Sequence, residues 1–142
     1  MHKNRISKLF DILKTKNKSA LGIFITAGDP NIEVSQKILD GLPSNGADFI
    51  ELGMPFSDPM ADGPAIQASS LRALKSGMDL SKTLLMVKKF REKDTNTPIL
   101  LNNLGMTEYS KELSNFINSI FVKEKIKDTL GEVISKANLK QL

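Results

Sequence analysis

No cysteine occurs in the 142-residue chain, which excludes disulfides and thiol chemistry. Histidine is almost as scarce, with His2 beside the amino terminus the only one. That removes Ser-His-Asp catalysis and the usual zinc clusters, and leaves acid–base chemistry to Asp, Glu, Lys or Tyr109. Neither a metal site nor a cofactor is expected. No apolar run approaches the ~20 residues that span a bilayer. The start, Met1-His2-Lys3-Asn4-Arg5, lacks the apolar stretch and small-residue cleavage site of a secretory signal. The expected location is the cytoplasm, with no membrane partner. Neither strand turn carries G-x-G-x-x-G or a Walker loop, so a mononucleotide fold has no positive support.

What is present describes a soluble globular chain of one ordinary domain, with 40% hydrophobic and 25% charged residues. The net charge of +4 is unevenly spread. Lys3, Arg5, Lys8, Lys14, Lys16 and Lys18 crowd the first twenty residues against Asp11 alone, whereas Asp40, Asp48, Glu51, Asp58 and Asp62 fall in a stretch without any cation. A nucleic-acid surface would cluster its cations with aromatics. The basic flank is instead solvated helix surface, and no nucleic-acid partner is expected.

Along the chain, Ile6, Leu9, Phe10 and Leu13 are spaced for an amphipathic helix over 5–14. Residues 21–26 (LGIFIT) form a short, β-branched apolar run, hence a buried strand. Asp29 is placed to cap the next helix with Pro30 in its first turn, Val34, Ile38, Leu39 and Leu42 give that helix its stripe, and Asn45-Gly46 ends it. A second strand is expected over 48–53 and a proline-rich loop over 54–64. Helices follow over 66–75, stopped by Gly77, and over 80–91 with Leu84, Leu85, Met86 and Val87 apolar. A third strand starts at 99–101. Strand–helix–strand–helix–strand predicts a parallel sheet covered by helices, the beginning of either a doubly wound sheet or a (β/α)8 barrel. Beyond residue 101 only helical patterns remain: Leu113, Phe116, Ile117 and Ile120, then Ile126, Leu130, Val133, Ile134 and Ala137.

Glu51 interrupts an apolar strand near its carboxyl end. Alternation puts Phe49, Glu51 and Gly53 on one face and Ile50 and Leu52 on the other. A carboxylate on a packed face is costly unless it is used, paired or protonated, the alternative being an edge glutamate with a lysine partner. Asp62 lies in the loop after the same strand, where parallel α/β proteins build their sites. Two carboxylates at one mouth can divide proton transfer and charge stabilisation. Asp58-Pro59 and Asp62-Gly63 are also favoured turn pairs, which accounts for most of Asp58 and leaves Asp62 open.

The run Ile50-Glu51-Leu52-Gly53-Met54-Pro55-Phe56-Ser57-Asp58-Pro59-Met60-Ala61-Asp62-Gly63-Pro64-Ala65-Ile66-Gln67 is similar to the signature of tryptophan synthase alpha subunits. The family's first-strand motif is matched at Phe24-Ile25-Thr26-Ala27-Gly28-Asp29-Pro30, and Leu71-Arg72-Ala73-Leu74 and Gly77 also fit, so that the resemblance covers residues 5–101. It implies a (β/α)8 barrel and the retro-aldol cleavage of indole-3-glycerol phosphate to indole and glyceraldehyde 3-phosphate. Glu51 takes the place of the catalytic glutamate and Asp62 that of the catalytic aspartate. Phe24 and Thr26 match substrate-lining positions, with barrel filling as their structural alternative. The loop of Pro55 and Asp58 resembles the surface that contacts the beta subunit, the implied protein partner in a heterotetramer.

The sequence departs from the family at Leu101-Asn102-Asn103-Leu104-Gly105-Met106, where a Met/Tyr/Asn-rich loop is usual. Strands four to eight have no counterpart, although a barrel takes ~250 residues. No Gly-Ser pair precedes a helix in 102–142 to hold a phosphate. The expectation is a truncated barrel over residues 1–101, its first three strands with their helices, followed by a helical tail over 102–142. Functionally it is a lyase of this family, inactive where the truncation removes the phosphate site. The alternatives are a non-catalytic half-barrel that keeps the beta-subunit contact loop and, less closely matched, another barrel enzyme acting on phosphosugars.

Overall fold

The computed structural model describes residues 4–57 and 62–102; the expected helical tail lies, from residue 103 on, outside the described residues. Helices start where a short polar side chain takes up an unpaired backbone N–H. Asn4 does this for α1 (Arg5–Thr15), its Oδ1 accepting from Ser7 N at 2.7 Å. For α2 (Ile32–Gly41) the cap is Asn31, which accepts from Val34 N at 2.9 Å. This corrects the expectation for Asp29, whose carboxylate is instead turned to Arg72. α2 also ends before Asn45-Gly46: Pro43 has no N–H to extend the ladder, and a 3-10 turn (Pro43–Asn45) closes on Gly46 at φ +99°. α3 (Pro64–Lys75) begins two residues earlier than expected, with Pro64 where its missing N–H costs no helical bond. α4 (Leu80–Arg91) has the expected bounds, capped by Asp79, whose side chain accepts from Lys82 N at 2.8 Å.

The strands are β1 (Gly22–Thr26), β2 (Phe49–Gly53) and β3 (Ile99–Asn102). They form one parallel sheet in the order β1-β2-β3, with β2 between the other two as expected. The register aligns Phe24 with Glu51 and Glu51 with Leu100, then Thr26 with Gly53 and Gly53 with Asn102.

The face carrying Ile50, Leu52 and Ile99 packs with Leu39 of α2 and with Met86, Val87 and Phe90 of α4, joined by Ala27, Ala73 and Met78. Each such side chain contributes about 1.5–3 kcal/mol on burial. Leu84 is buried as well, but Leu85 is exposed, so the apolar face of α4 is narrower than its sequence suggests. At the end of α4, buried Arg91 donates from Nη1 to Asp94 O at 3.1 Å and Thr97 O at 2.7 Å, holding the turn that launches β3. Burial pushes its pKa down to about 10, which still leaves it charged at neutral pH.

The opposite face is built from rings laid over glycines. A β carbon at Gly22 would fall 2.2 Å from the Phe49 ring, and one at Gly53 would fall 2.6 Å from the Phe24 ring. Phe10 of α1 meets Phe49 at 6.3 Å between centroids, tilted by 48°, so α1 packs at the amino-terminal end of this face.

Among the described residues β1 and β3 each have one strand neighbour. Ala27 N donates to Gly53 O and Phe49 N to Leu21 O, so the odd-numbered groups of β1 face β2. Those of Gly22 and Phe24 point away from the sheet. Val34 and Ile38 were expected in the buried stripe of α2 but are exposed, while Leu39 is fully buried. Ile38 lies beside β1 with Phe24 and Ile25, on the side where no described strand packs. Among the described residues no helix is long and apolar enough to cross a membrane.

Two tests follow from this architecture. Gly28 has φ +86°, and a β carbon there would lie 2.7 Å from Met78 Cβ and 2.6 Å from its Cγ. Left-handed backbone disfavours a β carbon by about 1–2 kcal/mol and overpacking typically adds ~1–3 kcal/mol. Gly28→Ala is therefore expected to lower the unfolding free energy by at least about 2 kcal/mol. Gly46→Ala, at φ +99° but in open space, should cost only about 1 kcal/mol; urea unfolding of both variants checks the contrast. Because an open apolar strand edge invites pairing, the chain is also expected to self-associate as its concentration rises. Sedimentation velocity giving one monomeric species throughout would mean that another part of the chain covers β1.

Candidate active site

Glu51 owes its position to its neighbours. With Ile50 and Leu52 fully buried against the helices, alternation sends Glu51 to the face of the rings. There it is half-buried, two residues before β2 ends, with Phe24 beside it on β1 and Leu100 beside it on β3. Its cross-strand neighbours on both sides are apolar. It stands on the central strand rather than at an edge, and among the described residues none makes a hydrogen bond or ion pair with it.

Asp62 enters from the loop that follows β2. It is half-buried, immediately before Gly63 and the start of α3, and its carbonyl oxygen accepts from Gln67 Nε2 at 2.8 Å. α3 itself packs on the carboxyl end of β1. Thr26 Oγ1 lies 2.7 Å from Ser69 Oγ, both buried, and Ser69 also donates to Ile66 O at 2.9 Å. Arg72 grips Asp29 with Nε at 2.7 Å and Nη2 at 2.9 Å, and Ser76 Oγ donates to Gly28 O at 3.1 Å. The bond to Asp29 raises the pKa of Arg72 above its ordinary value, so the guanidinium stays charged at any working pH.

The residues singled out in the sequence thus divide. Phe24 and Thr26 meet in a cleft of about 320 Å³ on the outer side of β1, lined also by Ile38, Ile66 and Ser69. Phe24 is 38% exposed, whereas the Thr26 hydroxyl is engaged with Ser69. Glu51 and Asp62 are not in the lining of that cleft; they belong to the end of β2 and to the loop joining it to α3. Pro55 is half-buried in the same loop, and Asp58 lies outside the described residues. Sequence reasoning did not single out Gln67 or Ser69 and gave Arg72 no role. The signal available was the spacing of Ser69, Arg72 and Ser76, three and four residues apart on one helix face. Among the described residues no three His, Cys, Asp or Glu side chains form a possible metal-ligand set. What the arrangement offers is one carboxylate on the sheet and another on a loop at the carboxyl end, suited to moving protons and balancing developing charge.

Comparison with known proteins gives the family and the fold. A model of the family described as tryptophan synthase alpha chain matches residues 10–129, continuing past residue 101, where the motif resemblance stops. Tryptophan synthase subunit alpha from Legionella pneumophila str. Paris is 37% identical, with a TM-score of 0.72 over 92% of this chain. A structure from Aquifex aeolicus VF5 is 32% identical, with a TM-score of 0.76 over 82%. Tryptophan synthase from M. tuberculosis in its aminoacrylate-bound form is 26% identical, with a TM-score of 0.65 over 80%. This chain spans about half the length of these structures: 46%, 47% and 49% respectively. Its three parallel strands and their helices are the first part of a (β/α)8 barrel.

Proposed function

The chain belongs to the tryptophan synthase alpha chain family, and we propose that it supplies the catalytic carboxylates for cleaving indole-3-glycerol phosphate in tryptophan biosynthesis. The observation that carries the proposal is Glu51: a half-buried carboxylate without a partner among the described residues, between Phe24 and Leu100, near the carboxyl end of a central parallel strand. The reaction is a retro-aldol. A proton is added to indole C3 and another is removed from the glycerol hydroxyl next to it. The carbon–carbon bond then breaks, its electron pair returns to the ring, and the hydroxyl carbon becomes the aldehyde of glyceraldehyde 3-phosphate. Glu51 is the group to move both protons, since it stands near the carboxyl end of the central strand with no partner among the described residues to hold its carboxylate. While C3 carries its extra proton the ring nitrogen is electron-poor, and an ionised Asp62 accepting its N–H stabilises that charge. Phe24 offers an exposed apolar ring for the indole, and Thr26 lies two residues further along the same face.

No cofactor is needed for these steps. The partner is the beta subunit, approached by the loop of Pro55 and Asp58, in a cytoplasmic heterotetramer. Support for the partner comes from the family and from the motif in which these residues stand.

Two outcomes are expected when indole release is followed with and without the beta subunit. The 142-residue chain turns over far more slowly than a full-length alpha subunit, because anchoring of the substrate phosphate by later barrel loops orients the reacting carbon, and such orientation is worth several kcal/mol. The activity that remains falls by ~10²–10⁴-fold in Glu51→Gln, which keeps the shape but cannot transfer a proton. Binding of the beta subunit with no turnover that depends on Glu51 or Asp62 would identify a non-catalytic interaction module instead.

A further inference from the structure

We propose that Gln67 and Arg72 are positioning residues for Asp62, with α3 serving as a rigid arm that carries Asp62 from β1. The proposal rests on the lyase assignment for its consequence but on the contacts of α3 for its substance. Chain length alone does not fix where Asp62 lies relative to β2. Ten residues can reach more than about 30 Å, so the covalent link to β2 leaves the carboxylate a wide range of positions relative to Glu51.

α3 removes that range through two sets of contacts. The first set fastens α3 to β1. Ser69, Arg72 and Ser76 stand on one helix face and reach Thr26, Asp29 and Gly28, consecutive positions at the end of β1 apart from Ala27. β1 is hydrogen-bonded to β2 in a register that puts Phe24 opposite Glu51, so a helix fixed to Thr26–Asp29 is fixed relative to Glu51. The second set fastens Asp62 to α3. The helix has no side-chain cap at Gly63. Instead Gln67 turns its amide back and donates to Asp62 O at 2.8 Å, holding the backbone from which the carboxylate projects.

Arg72 is the critical link of the first set because its fork is bidentate: two parallel bonds fix an angle as well as a distance. The Arg72 and Asp29 side chains are 54% and 20% exposed, so the pair adds little to global stability. Its loss is felt in the orientation of α3. A misplacement of about 1 Å in a reacting group can lower a rate by ~10²-fold, which gives a weak surface pair a large effect on chemistry.

The test compares Gln67→Glu, isosteric but unable to donate once ionised, and Arg72→Lys, which keeps the charge and loses the fork. Backbone order parameters from ¹⁵N relaxation are measured at Asp62 and Gly63 and across the three strands, alongside the urea midpoint. The expected result is a fall at Asp62 and Gly63 from about 0.85 to below about 0.6 in Gln67→Glu, an intermediate value in Arg72→Lys, and unchanged strands and midpoint in both. Order at Asp62 that stays at the wild-type value in both variants overturns the proposal. So does a loss shared equally by the strands, which would mark the two residues as merely structural. Indole release in the presence of the beta subunit is the second readout, with kcat expected to fall ~10- to 100-fold at nearly constant KM. If Asp62→Asn abolishes turnover while the two variants leave kcat unchanged, the positioning role is wrong. If wild type and Asp62→Asn are equally inactive, the lyase assignment fails for this chain, and the order parameters alone decide whether Asp62 is held.

Discussion

β2 must serve two environments at once, and the burial of Ile50 and Leu52 decides how it does so. Both side chains are fully enclosed against α2 and α4. A slip of one residue would exchange the faces of the strand. Two aliphatic side chains, each worth about 1.5–3 kcal/mol, would leave the core, and the Glu51 carboxylate would enter it at a cost of several kcal/mol. The two penalties have the same sign. Glu51 is therefore held on its face by the packing of its neighbours, with no bond of its own among the described residues.

The face it occupies is shaped by glycines that serve their neighbours. Gly22 and Gly53 make room for Phe49 and Phe24, whose rings lie where a β carbon would be. Gly28 differs, because its own backbone is left-handed and Met78 packs against it as well. Ring and glycine alternate between adjacent strands, so the face is filled by aromatic groups at its edges while Glu51 remains accessible between Phe24 and Leu100. In such surroundings charge interactions are stronger than in water.

α3 belongs to the site more than to the core. Of its residues only Ala73 joins the main cluster, and the helix is held chiefly by hydroxyl, guanidinium and carboxylate contacts to the end of β1. Polar contacts of this kind specify geometry while adding little net stability. The core itself rests on α2, α4 and the helix-facing side of the sheet.

Much of this was legible in the chain of residues. Strand existence, the bounds of α4, the parallel order and the opposition of Glu51 to Ile50 and Leu52 follow from local periodicity, because alternation and helical repeat are properties of short segments. The motif around Glu51 and Asp62 carried the family on the same local basis. Interactions between distant segments were not legible. Asp29 looks like a cap until Arg72, 43 residues later, claims its carboxylate. Val34 and Ile38 look like core until the sheet order shows that no described strand lies beside β1. Thr26 looks free to meet a substrate until Ser69 is found on its hydroxyl. The sequence by itself determined which groups are present and which face of each element they occupy. Only the tertiary structure decided which groups bind one another, because a side chain's partner is chosen among segments that the chain brings together in space.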